Sequence, residues 1–295
     1  MKTGFIGLGI MGRPMAKNLL KAGVEVVVSD LNTEAVNDVV QAGGTAGTYA
    51  EIGSQCEQII IMVPNGAITK EILFGENGVA STIKPGSIVC DMSSVTPAES
   101  KECYERLKNI GVGFLDAPVS GGEPGAIAGT LSIMVGGEES HFHQMQECFN
   151  ILGSSALLIG GPGSGSTAKL VNQIIVNNTI AVVSEAFVFA AKAGADCEKV
   201  FHAIRGGLAG STVLDSKMPM ILERNFKPGG SLRINHKDIK NVVEAAHSID
   251  VPIPYTAQLY EILQTLKLHG HLGDDHSGIV QYFEALADVK VEKKK

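Results

Sequence analysis

The stretch Lys2–Asp30, KTGFIGLGIMGRPMAKNLLKAGVEVVVSD, decides how the first half of this chain folds. Lys2 to Ile6 reads as a short buried strand. Gly7-Leu8-Gly9-Ile10-Met11-Gly12 follows, a G-x-G-x-x-G. Arg13 to Ala22 reads as a helix, with Met15, Leu19 and Leu20 at helical spacing and Gly23 to stop it. Val24 to Ser29 is a second apolar strand, and Asp30 closes it 18 residues after Gly12. A glycine motif alone says little. Between a strand and a helix, and followed by an acid at this distance, it is the arrangement that holds a dinucleotide. Gly7 makes the tight turn, Gly9 lets backbone approach a pyrophosphate, and Gly12 lets the helix pack on the strand. The helix start offers N–H groups and a positive dipole end to the phosphates. Leu8, Ile10 and Met11 ride on the same loop and are cofactor contacts in this reading. Asp30 is placed to accept from a ribose 2′-hydroxyl. Leu31 and Asn32 come next, not Arg, so a 2′-phosphate would meet an acid and no adjacent cation. NAD(H) is favoured. Arg13, the basic residue that directly follows the glycine motif, keeps NADP(H) open.

The alternation continues outward. Thr33 to Gln41 reads as a helix, followed by a Gly-rich turn and the segment Tyr49 to Ser54. Gln58 to Val63 is a strand ending in Pro64-Asn65, and Ala67 to Phe74 a helix. Ser87 to Cys90 is a strand ending in Asp91-Met92-Ser93-Ser94. Pro97 to Lys108 is a helix, and Val112 to Leu115 a strand ending at Asp116. Strands alternating with helices imply a mostly parallel sheet. Ligands bind such sheets at the carboxyl ends of the strands. Val63, Pro64, Asn65, Ser93 and Ser94 stand at those ends as cofactor contacts, although turn chemistry alone also uses Pro, Asn and Ser. Asp116-Ala117-Pro118-Val119-Ser120-Gly121-Gly122 opens a glycine-rich passage that reaches Gly129. Successive N–H groups there can form a nest for an anion such as a carboxylate, although a flexible connector would use the same glycines. Leu131 to Val135 and Ala156 to Ile159 are further strands, with a helix from Glu139 to Phe149 between them. Gly160-Gly161-Pro162-Gly163 marks a boundary. Residues 1–162 are read as an α/β, Rossmann-type dinucleotide-binding domain, and 163–295 as an all-α domain.

That second domain is built on Gly163–Gly194, GSGSTAKLVNQIIVNNTIAVVSEAFVFAAKAG. A helix of about 28 residues runs ~42 Å. From Ile174 to Ala191 it is apolar nearly all round and is expected to be buried on most sides. Asn177, Asn178, Ser184 and Glu185 interrupt the run, which argues against a membrane span. Lys169, Asn172, Gln173 and Val176 share one face at i, i+3, i+4 and i+7. A lysine and two amides then point one way from the helix start. Further helices are read at Cys197–Arg205, at Ile239–Ser248 opened by Lys237-Asp238, at Tyr255–His269 and at Ser277–Ala287. Leu208 to Thr212 reads as a small-residue loop. His269, His271, Asp274, Asp275 and His276 lack the spacing of a preformed metal site and read as a polar loop, so no metal is expected. His141 and His143 are expected at the surface.

Net charge is −7, with no basic block except Lys293-Lys294-Lys295, which reads as a frayed end. This balance argues against nucleic acid or an anionic membrane as the main partner. Five scattered cysteines, odd in number, fit free thiols in a reducing compartment. Phe5 and Ile6 lead straight into the glycine motif without a long apolar leader, so a cytoplasmic protein is expected. The long helix is apolar on more faces than one small domain can cover, which points to a homodimer or homotetramer.

The opening Phe5 to Asn18, FIGLGIMGRPMAKN, resembles the signature of the β-hydroxyacid dehydrogenases. Asp116–Gly122 and Gly163–Gln173 are similar to that family's substrate loop and catalytic-lysine segment, and the resemblance spans essentially the whole chain. Asp116–Pro124, Ile204–Asp215 and Arg224–Gly229 look most like the members that reduce tartronate semialdehyde (2-hydroxy-3-oxopropanoate) to D-glycerate. By this resemblance Lys169 is the catalytic lysine and Ser120, Gly121 and Gly122 hold the substrate carboxylate. Lys237 lies near the nicotinamide, and Leu208–Thr212 joins the substrate pocket. Many members place Asn four residues after the lysine. Here Gln173 stands there, with Asn172 one earlier, so both are substrate contacts in question. The expected reaction is NAD(P)H-dependent reduction of a small carboxylated aldehyde, with Lys169 as general acid and base. Glyoxylate, succinic semialdehyde and 3-hydroxyisobutyrate are the alternative substrates. A dinucleotide-sensing module without chemistry is the alternative class, and it would not need Lys169.

Overall fold

The structure, a computed structural model, describes residues 2–294. It divides into two compact units, Met1–Lys169 and Leu170–Lys295. In the first unit nine strands form one sheet: β1 Lys2–Ile6, β2 Glu25–Ser29, β3 Thr45–Ala46, β4 Gln58–Ile61, β5 Ile88–Asp91, β6 Gly113–Asp116, β7 Val119–Ser120, β8 Leu131–Gly137 and β9 Gly153–Gly160. Their order is β3-β2-β1-β4-β5-β6-β8-β7, with β9 on β8. From β3 to β6 every pair is parallel. β8 runs antiparallel to β6 and β7 and parallel to β9. The chain steps outward from β1 to β3 and returns to β4 on the other side of β1. That reversal creates the crevice where such sheets take ligands.

Parallel strands are covered on both faces and so read as continuous apolar runs. Ile59, Ile60 and Ile61 of β4 are all fully buried. Alternation sends Phe5 and Ile60 to one core, with Met15, Leu19 and Phe149, and Ile6, Ile59 and Ile61 to the other, with Ile52, Leu73 and Phe114. The covering helices are α1 Gly12–Lys21, α2 Thr33–Gln41, α3 Tyr49–Gln55, α4 Gly66–Phe74, α5 Pro97–Lys108, α6 Gly122–Ala128, α7 Glu139–Gln144 and α8 Gln146–Leu152. The glycine-rich passage after Asp116 is therefore not a plain loop. It contains β7, paired Val119↔Ile133 and Ser120↔Ser132, and then α6. His143 is exposed as expected. His141 is not: its ring sits over Gly113, where a methyl group would strike it.

The long helix, α9, runs Ser164–Lys192 without a break. It is long and apolar enough to pass for a membrane span by composition, and 39% of its apolar window is buried. Val171, Ile175, Val182 and Phe189 are each more than half exposed, so the helix is less covered within this chain than its composition implied. The second unit is helical, with α10 Cys197–Ile204, α11 Thr212–Leu222, α12 Leu232–His247, α13 Pro254–Leu268 and α14 Val280–Ala287. Phe187, Phe201, Met218, Ile239, Leu263 and Val291 are in its core. α12 begins at Leu232, so Lys237 and Asp238 lie inside it and do not open it.

The terminal lysines correct a further expectation. Val291 is buried, and its N–H donates to Glu284 Oε1 at 2.7 Å. Lys293 N donates to Leu222 O at 3.1 Å and its ammonium pairs with Glu198 at 3.3 Å. Lys294 Nζ reaches Gly194 O at 2.7 Å. Backbone and charge together dock this segment, so it is not frayed. Lys295 lies outside the described residues.

Candidate active site

Gly7 has φ +97°, and a side chain there would collide with the Met62 carbonyl. One at Gly12 would collide with the Gly7 carbonyl, so the start of α1 lies hard against the loop. Nothing lies within 4 Å of a methyl placed on Gly9. The loop is thus tight where it packs and open where a phosphate would approach. Asp30 Oδ2 accepts from Leu8 N at 2.5 Å and Oδ1 from Asn32 N at 2.7 Å. The acid therefore braces the glycine loop, and each oxygen keeps a second lone pair for a hydroxyl. Asn32 caps α2, accepting from Glu34 N and Ala35 N. Leu31 is 93% exposed and Ile10 47%. Arg13 is drawn to Asp38 at 3.6 Å, and Lys17 to the same carboxylate at 2.8 Å. These residues fit a dinucleotide.

The next strand ends form a polar scaffold. Ser93 Oγ accepts from Val63 N at 2.9 Å, and Asp91 Oδ1 accepts from Ser93 N at 3.0 Å. Asn65 caps α4 through Ile68 N. Pro64 and Ser94 flank these residues. Asp91 is fully buried, and that burial pushes its carboxyl up to about 6. It stands beside Asp116 in the sheet register. Asp116 is 1% exposed and accepts from Gly163 N at 2.8 Å and Ser166 N at 2.7 Å. Burial pushes its carboxyl up as well, against the pull of those two N–H groups. Sequence reasoning assigned neither acid a task. A signal was present: Asp30, Asp91 and Asp116 each close an apolar strand.

Lys169 Nζ donates to Val119 O at 2.8 Å. This brings the lysine to the strand that carries Ser120. Gly121 and Gly122, with φ +139° and +60°, turn the chain from β7 into α6.

In the second unit a chain of polar contacts joins the two amides to α12. Asn172 Nδ2 donates to Gln173 Oε1 at 2.9 Å, and buried Gln173 Nε2 donates to Asp238 Oδ2 at 2.5 Å. Lys237 Nζ pairs with Asp238 Oδ1 at 2.9 Å. Both ends of the Gln173 amide are engaged within the protein. Asp238, the centre of this group, was legible only as a helix start. Among the described residues no three His, Cys, Asp or Glu side chains stand together as a metal site. His271 bonds Asp274 at 3.0 Å, and Asp275 takes Lys217 at 2.8 Å with the N–H groups of Gly229, Gly230 and Ser277.

Comparison with known proteins agrees with both halves. Residues 2–161 match the family model of the NAD-binding domain of 6-phosphogluconate dehydrogenase. Residues 163–283 match that of the NAD-binding segment of NADP-dependent 3-hydroxyisobutyrate dehydrogenase. The chain is 41% identical to 2-hydroxy-3-oxopropionate reductase of Escherichia coli K12, over 99% of this chain and 100% of that one. It is 34% identical to 2-(hydroxymethyl)glutarate dehydrogenase of Eubacterium barkeri, over 99% and 97%. The solved 3-hydroxyisobutyrate dehydrogenase of Mycobacterium tuberculosis superposes with a TM-score of 0.89 at 26% identity, over 95% of this chain and 98% of that one. An open glycine loop braced by an acid, a lysine held at the strand that carries Ser120 and full-length relatives of one kind lead to one conclusion: the chain belongs to the β-hydroxyacid dehydrogenase family, NAD(P)-dependent oxidoreductases acting on CH–OH groups.

Proposed function

We propose that this enzyme reduces tartronate semialdehyde to D-glycerate, with NADH as the favoured reductant. The observation that carries the reading is the 2.8 Å bond from Lys169 Nζ to Val119 O, one residue before Ser120. The 41% identity to a 2-hydroxy-3-oxopropionate reductase supports the substrate. When bound, the nicotinamide supplies the hydride for the carbonyl carbon. Lys169, as the ammonium, hydrogen-bonds the carbonyl oxygen and gives it a proton. In reverse the neutral amine takes the proton of the alcohol. Ser120, Gly121 and Gly122 hold the carboxylate, which fixes the carbonyl for attack. Asn172 and Gln173 serve the substrate, with Asn172 in contact and Gln173 orienting it, because the Gln173 amide is spent on Asn172 and Asp238. Lys237 flanks the nicotinamide. The working division is at 162/163, the location cytoplasmic, and the assembly a homodimer or homotetramer.

The test is NADH oxidation with tartronate semialdehyde, glyoxylate, succinic semialdehyde and, in reverse, 3-hydroxyisobutyrate. The highest kcat/KM is expected for tartronate semialdehyde, and a higher value for any of the others overturns the substrate. Lys169→Ala should lower kcat by about 10²-fold or more. Lys169→Arg should be nearly as damaging, because guanidinium keeps the charge without releasing its proton. Near-normal kcat in Lys169→Arg removes the acid–base role.

A further inference from the structure

We infer that Asp116 is the positioning residue for Lys169, an inference that rests on the acid–base reading of that lysine. The first N–H groups of a helix have no partner inside it. An N-cap residue normally supplies one locally. In α9 the acceptor is borrowed from the sheet: Asp116, at the end of β6, takes Gly163 N on one oxygen and Ser166 N on the other. Its negative charge also suits the positive end of the helix dipole.

The packing leaves this junction no slack. Gly163 has φ +85°, and a side chain on Gly165 would strike the carbonyls of Asp116 and Met134. Ser166 Oγ lies 2.8 Å from Ser100 Oγ in buried surroundings. Lys169 follows Ser166 by less than one turn. The other arm leaves from the same residue. After Asp116, Ala117 N is fixed to Asp91 O at 2.7 Å and Pro118 O takes Met134 N at 3.0 Å. Val119, paired with Ile133, then offers the carbonyl that receives Lys169 Nζ. Asp116 therefore stands at the root of both arms of the Lys169–Val119 contact. A cap that served only the helix would fix one of them.

The experiment compares Asp116→Ala and Asp116→Asn in the full-length enzyme, with Lys169→Ala alongside. Asp116→Ala should lower kcat roughly tenfold or more, as misplacement of a reacting group does. Asp116→Asn keeps one acceptor at nearly the same size, so it should recover part of that loss. KM for the semialdehyde and Kd for NADH should stay within about twofold, while amide hydrogen exchange quickens across residues 163–168. Faster exchange with unchanged kcat in both variants overturns the inference and makes Asp116 a helix cap only. So does a fall in kcat matched by an equal loss of NADH affinity. If Asp116→Ala does not fold, Asp116→Asn alone decides by the same split. A Lys169→Ala variant of normal kcat overturns the acid–base reading and this inference together. An inactive Lys169→Ala beside unaffected Asp116 variants overturns this inference alone.

Discussion

Asp30 gives an oxygen to Leu8 N and another to Asn32 N, so replacing it loosens the glycine loop as well as removing the acid expected to meet the ribose. Leu31 beside it is almost wholly exposed, and Arg13 is occupied by Asp38. Asp30→Ser combined with Leu31→Arg should shift the ratio of kcat/KM values toward NADPH. If the unmodified enzyme already prefers NADPH, the reading of Asp30 is wrong. Two other buried groups oppose each other in pH. Asp91 is pushed to about 6 from an ordinary 3.8, so the folded state keeps a proton that the unfolded chain has lost. Its contribution falls as pH rises from about 4 to 6, by on the order of 3 kcal/mol in all. His276 is fully buried, and that burial pulls it to about 3 from 6.5, so the unfolded chain takes a proton that the folded state refuses. Its contribution falls as pH drops from about 6.5 toward 3. Between pH 4 and 6 the two offset. Asp91→Asn should therefore lose melting temperature more steeply than the parent on acidification, and His276→Gln should gain. Parallel melting curves for all three proteins would contradict this.

Elements were legible where the signal is local. Thr96-Pro97 with Glu99 forms a capping box with Pro at the first turn, and α5 occupies the predicted Pro97–Lys108. β7 and α6 were hidden because a two-residue strand and a seven-residue helix among glycines carry no period. α12 was begun too late because Arg233, His236 and Lys237 mask its apolar stripe of Leu232, Ile239 and Val242. The contacts that make the site were illegible for another reason. Lys169 and Val119, Asp116 and Ser166, and Gln173 and Asp238 are each separated by 50 residues or more. Only folding brings them within reach. The long helix makes its own prediction. Ile175 and Val182, both exposed, line an apolar groove of about 770 Å³ with Leu214, Pro254 and Tyr255. Sedimentation at micromolar concentration should show more than one chain, and Val182→Glu should shift it toward the monomer. A parent that sediments as a clean monomer removes the argument from this helix.

At the scale of the whole molecule, charged ends and thiols alike are drawn into the fold. Lys293 and Lys294 serve the fold of the second unit, where Lys293 bridges Glu198 and Glu223 and Lys294 reaches Gly194 O, and do not fray. The cysteines are equally withdrawn: Cys56, Cys90, Cys103, Cys148 and Cys197 are all free and all buried. Burial pushes Cys56 and Cys148 to about 11 and Cys103 to about 12, and raises Cys90 and Cys197 as well. Thiolate, the reactive form, is scarce in such surroundings. The natural chain is therefore a silent background for thiol-directed probes. A fluorophore on a cysteine introduced at Leu31 would be the one rapidly attached label, and its quenching or shielding by added dinucleotide would read occupancy directly, without turnover.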